Sequence, residues 1–286
     1  MSATNAPTVF IPAEGDLDFG GVIHSEWVKF RSVRSTWWAY AILLAVTVGV
    51  GAQMSSSLSF DGMAGVPTQD AIQDLAVYAV TVGTDFAALI VGVLGVIVIA
   101  GEYGTGMIQS TVTAVPRRLP ILFAKALVLA VATFVVSAVA FAITVPVSVS
   151  LLAGNGIAVR LDDPQFWMAL LGGVGYLVLV GLIAFSIGAL LRSTAGGMAA
   201  TLGLLLVAPL AMSFLPAGTE NIGTLLPSVA GTVLLSYPTE QSWVDLAAPS
   251  ASSDWITEPW QGGLTLVVWV AVLFCAAAAL LKKRDA

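Results

Sequence analysis

Charge is what this sequence lacks most. Asp, Glu, Lys and Arg make up 10% of its residues, against 58% that are hydrophobic. A water-soluble domain carries about a quarter charged residues, so a chain of 286 residues this poor in them cannot cover a globular surface of its own size. The class implied is a polytopic helical membrane protein. Histidine and cysteine are scarcer still, with one of each, His24 and Cys275. A lone cysteine forms no internal disulfide, and one imidazole with one thiol cannot supply the usual ligands of a zinc site. His24 is also the only imidazole base, and no Gly-x-Ser-x-Gly elbow exists to pair with it. None of Lys29, Lys125, Lys282 or Lys283 follows a glycine, so the Gly-Lys-Ser/Thr core of a phosphate-binding loop is missing. Nucleotide hydrolysis and metal-centred catalysis are therefore not expected of this chain. Neither is a bound cofactor or a nucleic-acid partner.

Long apolar runs are what the sequence has instead. Crossing a bilayer takes about 20 helical residues, and six segments qualify, at 37–54, 77–101, 120–147, 165–190, 195–215 and 261–281. Only the tight LRSTAGG around Arg192 separates the fourth from the fifth, which suits a helical hairpin. Lys29, Arg31 and Arg34 precede span one, and Arg117, Arg118 and Lys125 lie between spans two and three. Arg192 follows span four, and Lys282, Lys283 and Arg284 follow span six. All fall on one side, which the positive-inside rule makes cytoplasmic. Only Arg160 falls opposite, among outward loops otherwise rich in acids. The fold expected is all-α, multi-pass in the cell membrane, with both termini inside. The first 18 residues have no basic stretch leading into an apolar one, and read as a flexible cytoplasmic tail.

Two apolar stretches do not span. In residues 19–36, Phe19, Ile23, Trp27 and Phe30 recur at helical spacing, while Lys29, Arg31 and Arg34 lie mostly off that stripe. This predicts an amphipathic helix in the inner headgroup plane, with Trp37 and Trp38 at the start of span one. His24 reads as part of its polar face. Residues 221–237, NIGTLLPSVAGTVLLSY, are apolar but short and broken by Pro227 and Gly231. They predict a segment that dips into the outer leaflet and returns. Asp85, in VTVGTDFAALIV, is the one acid well inside a predicted span. An intramembrane carboxylate is a functional candidate, yet this one lies near the outer end, where water or a loop could solvate it in a structural role. Glycines crowd spans four and five, from Gly172 to Gly203, which suits close helix packing within one subunit or a dimer seam. Pro146 and Pro209 are expected to kink spans three and five.

The stretch GEYGTGMIQSTVTAVPRR, 101–118, interrupts two of the most apolar runs. Glu102 and Tyr103 come where span two leaves the inner leaflet. Gly104 and Gly106 weaken the helix and permit a sharp turn. TGMIQSTVTAVP then supplies about three turns of mixed side chains, at about 3.6 residues per turn, suiting a short helix across the membrane face. Pro116 ends it, ahead of Arg117 and Arg118. This pattern resembles the E-Y-x-x-G-T motif, short helix and P-R-R of the type-2 ABC transporter permeases. Those are six-span subunits of exporters such as the daunorubicin-, bacitracin- and nitrous-oxide-reductase-associated systems. The chain has Gly-Met after Thr105 where many relatives have Gly-Thr. SEWVKFRSVRSTWW, from Ser25, resembles the family's connecting helix in the pattern S-E-x-x-K-x-R-S-x-R-S-T-W-W.

The resemblance implies roles for these residues. Glu102, Tyr103, Gly104, Thr105, Gly106, Met107, Ile108, Pro116, Arg117 and Arg118 would form the coupling loop, 102–118, its helix seated on a cytosolic ATPase. Glu26, Trp27, Lys29, Arg31 and Arg34 would belong to the connecting helix, 19–36. Residues 37–286 would be the transmembrane domain and 221–237 its re-entrant segment. Two permease chains would pair in the lipid bilayer with two ATPase subunits, which would carry the ATP and magnesium. Spans this apolar favour a lipophilic or amphiphilic cargo such as a drug, a peptide or a lipid-like compound. Within the class, the alternative is an accessory or force-transmitting permease paired with a different one. From another class, a secondary carrier would need ion sites and internal repeats, for which Asp85 is the sole support. Orientation is directly testable. In a Cys275→Ala background, cysteines at Ser57 and Ser252 should react with an impermeant thiol reagent on intact cells. Labelling only after the membrane is opened would invert the topology.

Overall fold

The structure, a computed structural model, describes residues 19–59, 68–105, 118–212, 214, 220–239, 255 and 258–283. It is helical, with no strand among the described residues. The helices are α1 (Phe19–Ser32), α2 (Arg34–Ser57), α3 (Gln69–Thr81), α4 (Gly83–Thr105), α5 (Arg118–Gly154) and α6 (Pro164–Leu191). They continue with α7 (Thr194–Leu202), a π-helical turn (Gly203–Val207), α8 (Ala208–Met212), α9 (Glu220–Gly223), α10 (Pro227–Leu234) and α11 (Pro259–Lys283). Six stretches are long and apolar enough to cross a membrane, as expected: α2, α3 with α4, α5, α6, α7 with α8, and α11.

Span two starts earlier than hydropathy suggested. Its helix reaches back to Gln69, giving 34 residues to Glu102, or ~51 Å at 1.5 Å per residue, well beyond a ~30 Å hydrocarbon core. Span three likewise runs on to Gly154. At the ends of these helices away from Glu102, Leu75, Val77, Phe141 and Leu152 pack with Ile157 and with Phe166 of α6 into a cap. Gln73 is fully buried there because its amide matches a peptide group: Nε2 donates to the Arg160 carbonyl at 2.8 Å, and Oε1 accepts from the Arg160 N–H at 2.9 Å. A polar side chain is thus part of a core. Asn155 Nδ2 donates to the carbonyls of Ser55, Ser56 and Leu58, closing the C-terminus of span one. Asp163 accepts from Gln165 N–H at the start of α6 and from the Tyr237 hydroxyl at 2.6 Å, which ties the end of the α9–α10 segment to span four. The Tyr237 bond, more than any other contact, holds the Asp163 carboxyl below the usual carboxylate range. Burial first, then that carboxylate, pushes Tyr237 up to about 12.

Span four is the hub, packing against spans two, three, five and six. A Cβ on Gly95 would lie 2.5 Å from the Gly181 carbonyl oxygen, so α4 and α6 meet backbone to backbone. Gly188 lies against the Val96 backbone, and Gly197 against the Val96 side chain. Much of the glycine crowding thus serves packing within one chain; nothing lies within 4 Å of the corresponding position on Gly175 or Gly203.

Each departure from regular helix has a local cause. The regular helix of span two is interrupted at Val82, where Gly83 lies against the Thr47 backbone, while Thr84 Oγ1 donates to the Thr81 carbonyl at 2.6 Å. Arg192 turns the chain in a left-handed conformation, φ 51°, its N–H bonded to the Gly188 carbonyl, and Ser193 then caps α7. Span five passes through the π turn, whose Ala208 N–H reaches back to the Gly203 carbonyl, immediately before Pro209. Pro146, by contrast, sits inside an uninterrupted helix. Residues 221–237 form two short helices broken at Pro227, as their sequence suggested, and α10 packs on α11 and α6. The Gly95 contact can be tested against an open position. Gly95→Val should lower the stability of the purified protein by about 1–3 kcal/mol or more, whereas Gly175→Ala should leave its unfolding temperature unchanged.

Candidate coupling site

The amphipathic helix meets the spans through a stripe that its apolar pattern did not pick out. Phe19 and Trp27 remain exposed, and the buried residues of α1 are Val22 and Glu26, one turn apart. Val22 packs against Ile121 and Ala124 near the start of α5. Because Lys125 follows Ile121 by one turn, the two stripes in register place Glu26 over Lys125. Lys125 Nζ then donates to Glu26 Oε2 and to Glu102 Oε1, each at 2.5 Å. The second oxygen of Glu26 accepts from Lys29 Nζ at 2.9 Å. Side-chain exposure is 5% for Lys125, 4% for Glu26 and 13% for Glu102, while Lys29 is 44% exposed. Among the described residues, these contacts bring together two carboxylates and two ammonium groups.

The cluster joins three elements: α1 by Glu26, the C-terminal end of span two by Glu102, and span three by Lys125. Desolvating these charges offsets much of their mutual attraction. The more secure consequence is that removing one partner leaves a buried charge uncompensated. Lys125 had been read from the sequence only as a marker of the inner side. The signal that could have found it is its place two turns inside a helix, beyond Arg117 and Arg118, where an unpaired ammonium is costly.

The other residues proposed from the sequence divide into three groups. Arg31 and Arg34 are exposed, as are Trp37 and Trp38; the Trp37 indole N–H donates to the Arg31 carbonyl at 2.9 Å and closes the end of α1. The connecting helix ends at Ser32, and span one begins after Val33. Tyr103, Gly104 and Thr105 form the last turn of α4. Gly104, expected at a turn, is thus still helical. Gly106, Met107, Ile108, Pro116 and Arg117, with the expected coupling helix, lie outside the described residues, and Arg118 begins α5. His24 is exposed on α1.

Asp85 opens onto a cavity of about 360 Å³ bounded by span two, span four, span five and α10. Tyr176, Leu206, Pro209, Ser228 and Thr232 are among its walls. A Cβ on Gly231 would lie 2.2 Å from the Tyr176 ring, so α10 rests directly on that ring and seats this wall. Among the described residues there is no cluster of three or more His, Cys, Asp or Glu that could hold a metal ion.

With this geometry in view, a family model described as ABC-2 family transporter protein matches residues 22–286. A comparison with the curated proteins gives no match.

The buried cluster predicts a distinctive stability pattern. Lys125→Met alone should destabilise the purified protein by about 3–5 kcal/mol, because Glu26 and Glu102 are left without their shared cation. Adding Glu26→Gln and Glu102→Gln should recover most of that loss. Thermal unfolding of the single and triple variants checks this, and equal stability of the two would mean the cluster is not electrostatically closed.

Proposed function

The chain belongs to the ABC-2 transporter family and is a membrane permease of an ABC transporter, and we propose that it works as an exporter, two copies pairing with two cytosolic ATPase subunits. The ATPases carry ATP and magnesium, while this chain supplies the path and the mechanical linkage. Its cargo is a lipophilic or amphiphilic compound. ATP-driven closure pushes on residues 102–118 at the base of span two, and the spans tilt so that an inward-open cavity becomes outward-open.

One observation carries this reading: Lys125 bridges Glu26 and Glu102. A push delivered just beyond Glu102 reaches α4 directly, and through Lys125 it reaches span three and the connecting helix. Charge-assisted hydrogen bonds contribute about 1.5–3 kcal/mol each, enough to keep three elements moving as one. Two features would have the connecting helix ride on the headgroups as it moves, namely its exposed Phe19 and Trp27 and its basic C-terminal turn.

The test uses the permease reconstituted in vesicles with its ATPase. Glu102→Gln removes the charge while keeping the shape. It should lower cargo transport and cargo-stimulated ATP hydrolysis together, by about tenfold or more for loss of one such bond. Membrane insertion, ATPase assembly and cargo affinity in the resting state should stay at wild-type levels. Loss of cargo binding with cargo-independent hydrolysis intact would instead place Glu102 in the cargo path.

A further inference from the structure

We propose that the cavity beside Asp85 recognises the ammonium group of an amphiphilic organic amine, with the Asp85 carboxylate as its counter-charge. This deepens the export reading and rests on it for the role of the amine as cargo, though the binding itself needs no ATPase.

The depth of Asp85 comes first. It lies on the same unbroken helix as Glu102, ~25 Å away at 1.5 Å per residue. With Glu102 at the inner headgroup level, that places Asp85 in the outer leaflet, still within a ~30 Å core. A carboxylate there needs a partner. No hydrogen bond or ion pair joins it to any described residue. The sequence has no protein cation to offer at that depth, because every basic residue except Arg160 belongs to the inner side. Arg160 faces Asp70 at 3.5 Å in the outer cap.

The cavity itself is the second observation. Its volume lies within the ~300–1,000 Å³ usual for small-molecule sites, and apart from Asp85 its walls are largely apolar, with Leu205, Leu206, Pro209 and Val229 among them. Ser228 Oγ, also in its wall, is shielded from solvent yet makes no hydrogen bond. A buried hydroxyl left so calls for a missing partner. One carboxylate, one idle hydroxyl and the Tyr176 ring at an apolar opening match a ligand with a cationic head and an apolar body. A hard metal ion would require several oxygen ligands. A proton would neutralise Asp85 and leave the cavity unused.

The walls are also those most able to rearrange. Span five contributes residues from its π turn and Pro209, and the α10 wall is a short helix held between breaks. Irregular backbone at membrane depth is tolerated where it lines a cavity.

The experiment is equilibrium binding to the purified permease in phosphatidylglycerol nanodiscs, without ATPase. The probes are mono-dansyl-1,12-diaminododecane and its N-acetylated, neutral counterpart. The wild type should prefer the amine by about tenfold or more. Asp85→Asn should abolish that preference while Asp85→Glu keeps it, and Leu206→Trp should weaken both probes by filling the cavity. Phosphatidylethanolamine added to the nanodiscs should not displace the amine. Equal binding of the two probes to wild type, or a preserved preference in Asp85→Asn, overturns the proposal. Displacement by phosphatidylethanolamine overturns it in favour of a bound lipid. If Asp85→Asn fails to fold, undiminished binding of the amine to Leu206→Trp overturns it equally. Because no ATP is present, failure here leaves the export reading standing, and failure of ATP-driven export leaves this binding result intact.

Discussion

Lipid offers no hydrogen bonds, so every peptide group inside the bilayer must find its partner within the protein. That constraint makes the chain helical and makes each break in a helix expensive. The breaks that occur are accordingly compensated. Where the regular helix of span two is interrupted at Val82, Thr81 and Thr84 donate to nearby carbonyls. Where the chain leaves the connecting helix, the Trp37 indole covers the Arg31 carbonyl. At the end of span one, a single Asn155 amide serves three carbonyls. The π turn ahead of Pro209 re-pairs the backbone with a longer loop instead of abandoning it. One of these sites, the π turn, contributes Leu205 and Leu206 to the wall of the Asp85 cavity.

The same low-dielectric surroundings explain why so few charges matter so much. In water a lysine between two glutamates would be an ordinary surface cluster. With exposure of a few per cent, Lys125 becomes a cross-brace that can be neither removed nor left half-paired without cost. The glycine contacts between spans two and four complement it, since backbones in direct contact slide less readily than long side chains. Together they describe a lever held at its base by ions and along its length by close packing.

Six spans, the tight turn at Arg192, the connecting helix and the two-piece segment at 221–237 were all legible from the sequence, because hydropathy, basic residues and Pro/Gly breaks each report directly on a membrane chain. Which face of each helix turns inward was less legible. The stripe of Phe19, Ile23, Trp27 and Phe30 reads as the membrane-facing side of α1, and it does not reveal which of the other residues meet the spans. In a membrane protein the apolar side can face lipid while a charged residue such as Glu26 is buried against a neighbour. The burial of Gln73 was not legible for a related reason: its amide is polar by composition but satisfied by the Arg160 peptide. Lys125 was visible, yet one sequence does not say that Glu26, 99 positions away, lies across from it. The short helix expected between Glu102 and Pro116 lies outside the described residues, so the family resemblance and the neighbouring cluster are what support its role.

The two sites share one rigid element, and that sets what a mechanism must do. Glu102 and Asp85 are both carried by α4, and no break separates them. Between them lies Gly95, its backbone against Gly181 of span four. A force applied at the inner end of such a helix cannot be absorbed by local unwinding, because each lost hydrogen bond would go unreplaced in lipid. The helix must move as a body, with the Gly95–Gly181 contact as the natural fulcrum. Under the proposed mechanism, displacement of Glu102 toward one side carries Asp85 toward the other. The interruption at Val82 lies three residues before Asp85, and Gln73 ties the helix ahead of it to the Arg160 peptide. Span two therefore has the form of a lever whose inner arm is braced by Lys125 and whose outer arm ends beside the cavity.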